Sequence, residues 1–216
     1  STIVVFRNDI LKLMTGLFQF RWNEETRYIV KIVVSMIPVG ILGLFFRDFI
    51  ASIFDNSQYI VLIVGFMLLI TATLLSFTYY AKRKGKEISF GHAFMIGIAQ
   101  AVAVLPGLSR SGATIATGLL FGLKRENVAR FAFLMVIIPI IGEIMLDLFK
   151  GKFTVEISRS MLLPLAAGFI AAFISGLIAC RWMINIVKRG KLIYFAIYCF
   201  LIGIVSITMF LFNRMA

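Results

Sequence analysis

Between Gly97 and Leu123 the chain reads GIAQAVAVLPGLSRSGATIATGLLFGL. Eight consecutive residues of it, Gly107 to Thr114, hold three hydroxyls (Ser109, Ser111, Thr114), one guanidinium (Arg110) and two glycines (Gly107, Gly112). Those types suit phosphate. Glycine lets the backbone turn tightly and bring its amides against a ligand. Arginine offers a planar fork that matches phosphate oxygens. Gly112 and Ala113 are expected to open a half-helix, whose N-terminal amides and dipole favour an anion. Two structural readings stand beside this one. Arg110 would pair with Glu143 or Asp147 and hold helices together, and the hydroxyls would bond to their own helix backbone, as Ser and Thr often do. A charge inside a membrane bundle is costly, which favours function for Arg110.

Composition says what scaffold must position these groups. Of 216 residues, 61% are hydrophobic and 15% charged, and the mean hydropathy is +0.99. A soluble chain of this length needs far more polar surface. Five apolar stretches, roughly 29–46, 59–80, 128–149, 161–183 and 192–212, approach or exceed the roughly 20 residues that cross a bilayer core. Tyr59, Tyr79, Tyr80, Trp182 and Tyr194 stand near their ends, where amphipathic rings prefer the interface. The fold class expected is an all-α integral membrane protein, a polytopic helical bundle forming one domain over 1–216. An amphipathic stretch from Arg7 to Arg27 is expected to lie on the membrane surface.

Residues 89–123 differ from the five spans. Two short apolar runs flank the break at PGLSRSG, and non-helical backbone at membrane depth is tolerated only when buried in protein or lining a wet cavity. The expectation is a re-entrant helix hairpin that returns to the face it entered. Charge counting supports it. Loops 7–28, 81–87, 121–130 and 181–191 hold fifteen Lys and Arg, while Arg47, Lys150, Lys152, Arg159 and Arg214 make five on the other side. The bias places the first set in the cytoplasm. A single full crossing at 89–123 would put the later loops on the wrong side.

The net charge of +12 would suggest nucleic acid in a soluble protein. Here the basic residues sit in short loops between apolar runs, where topology and anionic headgroups account for them, so membrane lipids and not nucleic acid are the expected partners. Cys180 and Cys199 lie in apolar stretches without paired spacing and read as packing residues. His92 stands at the membrane-surface end of the first half-helix and is not expected to be catalytic. Gly168, Ala172, Gly176 and Cys180, spaced by four, let helices approach closely, within the protomer or across a homodimer. No cleavable signal peptide is evident.

PGLSRSGAT resembles the second signature of the undecaprenyl-diphosphate phosphatase (bacitracin-resistance) family, as do FMIGIAQ before it, FLMVIIPIIGEIMLDLFK after it and FAIY near the end, although Cys199 stands where many relatives carry Arg. The resemblance implies hydrolysis of a C55 prenyl diphosphate to the monophosphate lipid carrier of cell-wall synthesis. It also implies a bacterial plasma membrane location, a site opening extracytoplasmically, an inverted pair of hairpins, and a divalent metal ion, magnesium or calcium. Carried over by position, Arg110 clamps the diphosphate and Ser109 and Thr114 hydrogen-bond its oxygens. Gly107, Ser111 and Gly112 complete the phosphate cradle, and Gln100 stands where the sister hairpin carries a glutamate, facing a metal-bound water. The family's first signature, rich in glutamate and ending in Ser-Ser-Thr-Gly-His, matches nothing here. Ser1 is no initiator Met and STIVVF resembles the last turns of a helix, so the chain is expected to begin partway through a longer protein. Carboxylates, a histidine and the metal ligands would then lie upstream of Ser1, with the nucleophile there or at Ser109, and this chain alone would not be a competent phosphatase. The rival reading is a transporter or flippase of the same lipid, since broken helices also build transporter sites.

The topology yields a first prediction. Cysteines placed by Lys84→Cys and Lys124→Cys should be labelled from the same membrane face; labelling from opposite faces would overturn the hairpin.

Overall fold

The computed structural model describes residues 1–19, 21–45, 59–81, 85–149 and 159–215. Among these residues the regular structure is all helix: α1 Thr2–Val5, α2 Arg7–Phe18, α3 Glu24–Phe45, α4 Ile60–Tyr80, α5 Phe90–Val102, α6 Arg110–Leu120, α7 Arg125–Phe149, α8 Arg159–Arg189 and α9 Leu192–Met215. Helices α3, α4, α7, α8 and α9 are each long and apolar enough to cross a membrane. They match the five stretches expected from hydropathy. The chain is therefore an all-α, multi-pass membrane protein.

Between α4 and α7 the pattern changes. With 13 and 11 residues, α5 and α6 reach about 20 and 17 Å, well short of the hydrocarbon thickness. They pack on each other, and their outer ends are tied. The Lys86 amide donates to the Gly122 carbonyl at 3.2 Å, and the Lys124 amide donates back to Lys86 at 3.1 Å. Glu87 accepts from Lys124 Nζ at 2.5 Å and from Asn127 Nδ2 at 2.7 Å. Chiefly because of the Lys124 hydrogen bond, the Glu87 carboxyl is held below its ordinary range. Its contribution to the tie is thus present above that range and is lost as pH falls through the lowered value. The pair is exposed and worth little alone; the backbone bonds define the junction.

Other ion pairs gather at this same end. Arg130 meets Asp9 at 2.6 Å, Lys188 meets Glu126 at 3.3 Å, and the Arg125 guanidinium lies over Gly190. The start of α2, the open end of the hairpin, the start of α7 and the end of α8 therefore share one basic face. Lys82, Arg83 and Lys84, counted in the charge bias, lie outside the described residues.

The core sits around α6, which touches α4, α5 and α7. Leu75, Ile96, Ile115, Val128, Phe131 and Met135 are fully buried there. In lipid such packing is held by van der Waals contact more than by expulsion of water, so close approach matters. Small residues provide it. Gly65 of α4 and Gly203 of α9 lie backbone to backbone, and a side chain on Gly118 would strike Val128. Leu11, Met14 and Phe18 form an exposed apolar stripe on α2, as a surface-lying helix requires. In α8, Gly176 is covered by the Ser1 side chain, whereas Gly168 has nothing within 4 Å.

Helix α5 is held against α3 at Gly97, where an added Cβ would collide with the Ser35 carbonyl and lie 2.9 Å from its Cα. Both neighbours are backbone and cannot swing aside. Gly97→Ala should destabilise the protein by about 1–3 kcal/mol, read as a lower thermal midpoint in detergent; an unchanged midpoint would show that α3 and α5 separate freely.

Candidate phosphate site at the hairpin tip

The turn between α5 and α6 follows from two residues. Pro106 presets φ, and Gly107 adopts φ 89°, the pairing of a type II turn, closed by the Leu108 amide donating to Leu105 at 3.3 Å. Gly107 has a second reason to lack a side chain, since a Cβ would come within 2.7 Å of the Val64 Cα of α4. The tip is pressed against a membrane-spanning helix.

From this turn α6 begins at Arg110, two residues earlier than the Gly112–Ala113 start expected from sequence. Ser109 is the reason. Its backbone is extended and its Oγ accepts from the Gly112 amide at 3.1 Å, so it caps the helix. The Ser109 amide in turn donates to Thr71 Oγ1 of α4 at 3.2 Å. Sequence reasoning missed Thr71; its only signal is a hydroxyl amid an apolar span.

The expected residues do come together, with different tasks. Arg110 is the first residue of α6, is exposed, and among the described residues forms no ion pair, so pairing with Glu143 or Asp147 is not observed. Ser111 is half-buried, and among the described residues its hydroxyl has no partner. Ser109 accepts through Oγ but keeps its own O–H uncommitted among those residues. Thr114 is fully buried, and its hydroxyl donates to the carbonyls of Arg110 (2.9 Å) and Ser111 (3.2 Å). The backbone-bonding reading of the hydroxyls thus describes Thr114, which steadies the first turn instead of presenting a donor. Gly112 is buried beside Ser109 and Thr71. The amides of Arg110 and Ser111, at the positive end of α6, remain for an anion.

One turn before the tip, Gln100 is 1% exposed, and among the described residues neither its Oε1 nor its Nε2 has a hydrogen-bond partner. A buried amide left unpaired costs about 1–3 kcal/mol. It lies on the buried stripe of α5 with Ala93, Ile96 and Gly97, where an apolar residue would pack at no such penalty. His92 is at the other end of α5, closing a capping box with Ser89. Among the described residues no three His, Cys, Asp or Glu side chains converge, so these residues do not by themselves make a metal cage.

Comparison with known proteins places this geometry. The sequence matches the family described as bacitracin resistance protein BacA over residues 1–205. The chain belongs to that family. An undecaprenyl-diphosphatase of Bacteroides fragilis is 57% identical over 212 residues, covering 96% of this chain and 77% of that protein. One from Parabacteroides distasonis is 55% identical over 209 residues with the same coverage. The undecaprenyl-diphosphatase 3 of Bacillus anthracis is 34% identical over 217 residues, covering 96% and 78%. The BacA match spans the tip, four of the long helices and the first part of α9, so the likeness covers the scaffold as well as the motif.

Gln100→Leu separates packing from function. It removes the unpaired amide at similar volume and should leave the thermal midpoint equal or higher while lowering turnover at least about tenfold. Unchanged turnover would remove Gln100 from the site.

Proposed function

We infer that this protein hydrolyses undecaprenyl diphosphate to undecaprenyl phosphate and inorganic phosphate, which returns the lipid carrier to cell-wall synthesis. Membership of the BacA family and relatives at 49–57% identity named undecaprenyl-diphosphatase support it. The observation that carries the reading to particular residues is Arg110, without an ion pair among the described residues, at the N-terminus of α6 beside the hydroxyls of Ser109 and Ser111.

Phosphoryl transfer needs the diphosphate held and its growing charge neutralised more than it needs covalent chemistry from the protein. The Arg110 guanidinium binds two phosphate oxygens at once, and the amides of Arg110 and Ser111 point the positive end of α6 at a third. Ser109 and Ser111 donate hydroxyl hydrogen bonds to the same oxygens. Thr114 acts through the backbone, holding the carbonyls that orient this turn. Gln100 directs its buried amide to the substrate or to the water that attacks phosphorus. Water adds to the terminal phosphorus, the bridging oxygen leaves as undecaprenyl phosphate, and a proton passes to solvent.

The base is supplied from outside the tip residues. The divalent cation of the family resemblance, magnesium or calcium, would likewise need carboxylates beyond those described here, and no step above is routed through it. The hairpin enters and leaves on the basic face, the cytoplasmic one by charge bias, and its tip serves a substrate from the extracytoplasmic side of the plasma membrane. The tied ends and short lengths of α5 and α6 support that placement.

Phosphate release from a prenyl diphosphate in detergent tests the activity; lipid movement without release would turn the reading to a transporter. Within that assay, Arg110→Lys keeps the charge but loses the fork, and turnover should fall by about a hundredfold or more. Near-normal release by this variant would return Arg110 to a structural role.

A further inference from the structure

A polar cavity lies at the end of α5 opposite the tip, about 20 Å away along the helix axis. It encloses about 650 Å³ between the first turns of α3 and the chain entering α5. Arg27 and Lys31, one turn apart on α3, form one wall; Glu87, Ser89 and Phe90 form the other, with Glu24 at the rim. The Lys31 ammonium stands 5.8 Å from the centre of the Phe90 ring.

The cavity holds two cations, Arg27 and Lys31, and two acids, Glu24 and Glu87. Glu87 is engaged chiefly by Lys124 and Asn127 and more weakly by Lys31, so its main partners lie outside the cavity. The N-terminus of α5 completes the wall. Its capping box satisfies the amides of Ser89 and His92 and leaves those of Phe90 and Gly91 without a partner among the described residues. A Cβ at Gly91 would meet only Ser89 Oγ, at 3.9 Å, so the backbone there is open to approach. Two basic side chains and two free amides around one space are a set of phosphate donors.

The α5 wall continues into apolar surface. Phe90, Phe94 and Ile98 follow at spacings of four along α5, all exposed. A free anion has no use for such a stripe, whereas the acyl chains of a lipid would lie along it. The cavity also stands on the basic face, at the level where a leaflet's headgroups lie.

We propose that this cavity binds the phosphate of a phospholipid headgroup in the leaflet at the basic end of the protein. Arg27 and Lys31 contact the phosphodiester oxygens, the α5 N-terminus supplies amide donors, and the exposed stripe of α5 carries the acyl chains. Such a lipid braces the junction where the hairpin meets α3. The site is independent of the phosphatase reading, since it shares no residue with the tip.

The test is native mass spectrometry of the detergent-solubilised protein titrated with phosphatidylglycerol, with inorganic phosphate as a competing arm. Arg27→Gln with Lys31→Gln should weaken lipid binding about tenfold or more, and Lys31→Gln alone by about threefold. Lys12→Ala with Lys191→Ala removes two charges from the same face and should leave binding unchanged. Equal binding by all variants, or equal loss in both double variants, would reduce the effect to general charge and overturn the site. Displacement of the lipid by inorganic phosphate at comparable concentration would make it a free-anion site and overturn the lipid assignment. The thermal midpoint of each variant, followed without lipid, ensures that altered binding is read on folded protein.

Discussion

The structure turns on a rule of the bilayer interior: each backbone N–H and C=O must find a partner within the protein. A helix broken at membrane depth violates this rule twice, once at each broken end. At the tip the chain meets it with local means. Ser109 caps Gly112, the Pro106–Gly107 turn closes on Leu105, and Thr71 of α4 accepts the Ser109 amide. Among the described residues, the first amides of α6 and the side chains of Arg110, Ser109 and Ser111 keep donors without a partner.

Packing follows from the same rule. Helices in lipid gain little from burying apolar groups, so they associate by close contact between small residues. Gly97 against Ser35 and Gly107 against Val64 fix two of the distances that hold the hairpin between α3 and α4, and Gly65 against Gly203 fixes α4 on α9. Each is a backbone-to-backbone approach, and each places the tip more firmly than a larger apolar contact would. Gln100 is the exception to this packing. It occupies a core position in which a leucine would pack well, and its amide has no partner among the described residues.

The two ends of α5 carry related chemistry in unlike surroundings. At the tip, the exposed Arg110 stands beside the half-buried Ser109 and Ser111 at the start of a helix. At the basic face, Arg27 and Lys31 stand between two glutamates and the exposed apolar stripe of α5.

Hydropathy alone determined the five spans and the all-helical class, because crossing a bilayer demands about 20 apolar residues whatever the tertiary arrangement. The motif from Gly107 to Thr114 could be read as suited to phosphate, since that suitability depends on residue type and short spacing. What it left open was how the hydroxyls divide their work. Whether Thr114 faces a ligand or its own carbonyls depends on the rotamer that burial against α5 and α7 permits, and only the fold shows it engaged with Arg110 and Ser111. Thr71 could not be read from its neighbours, because its partner Ser109 is 38 residues away. Nor could the pairing of Lys86 with Gly122 and Lys124, which brings the hairpin's ends together, or the isolation of the Gln100 amide. Contacts between distant segments are set by how whole helices pack, and no local pattern encodes which donor will be left without a partner.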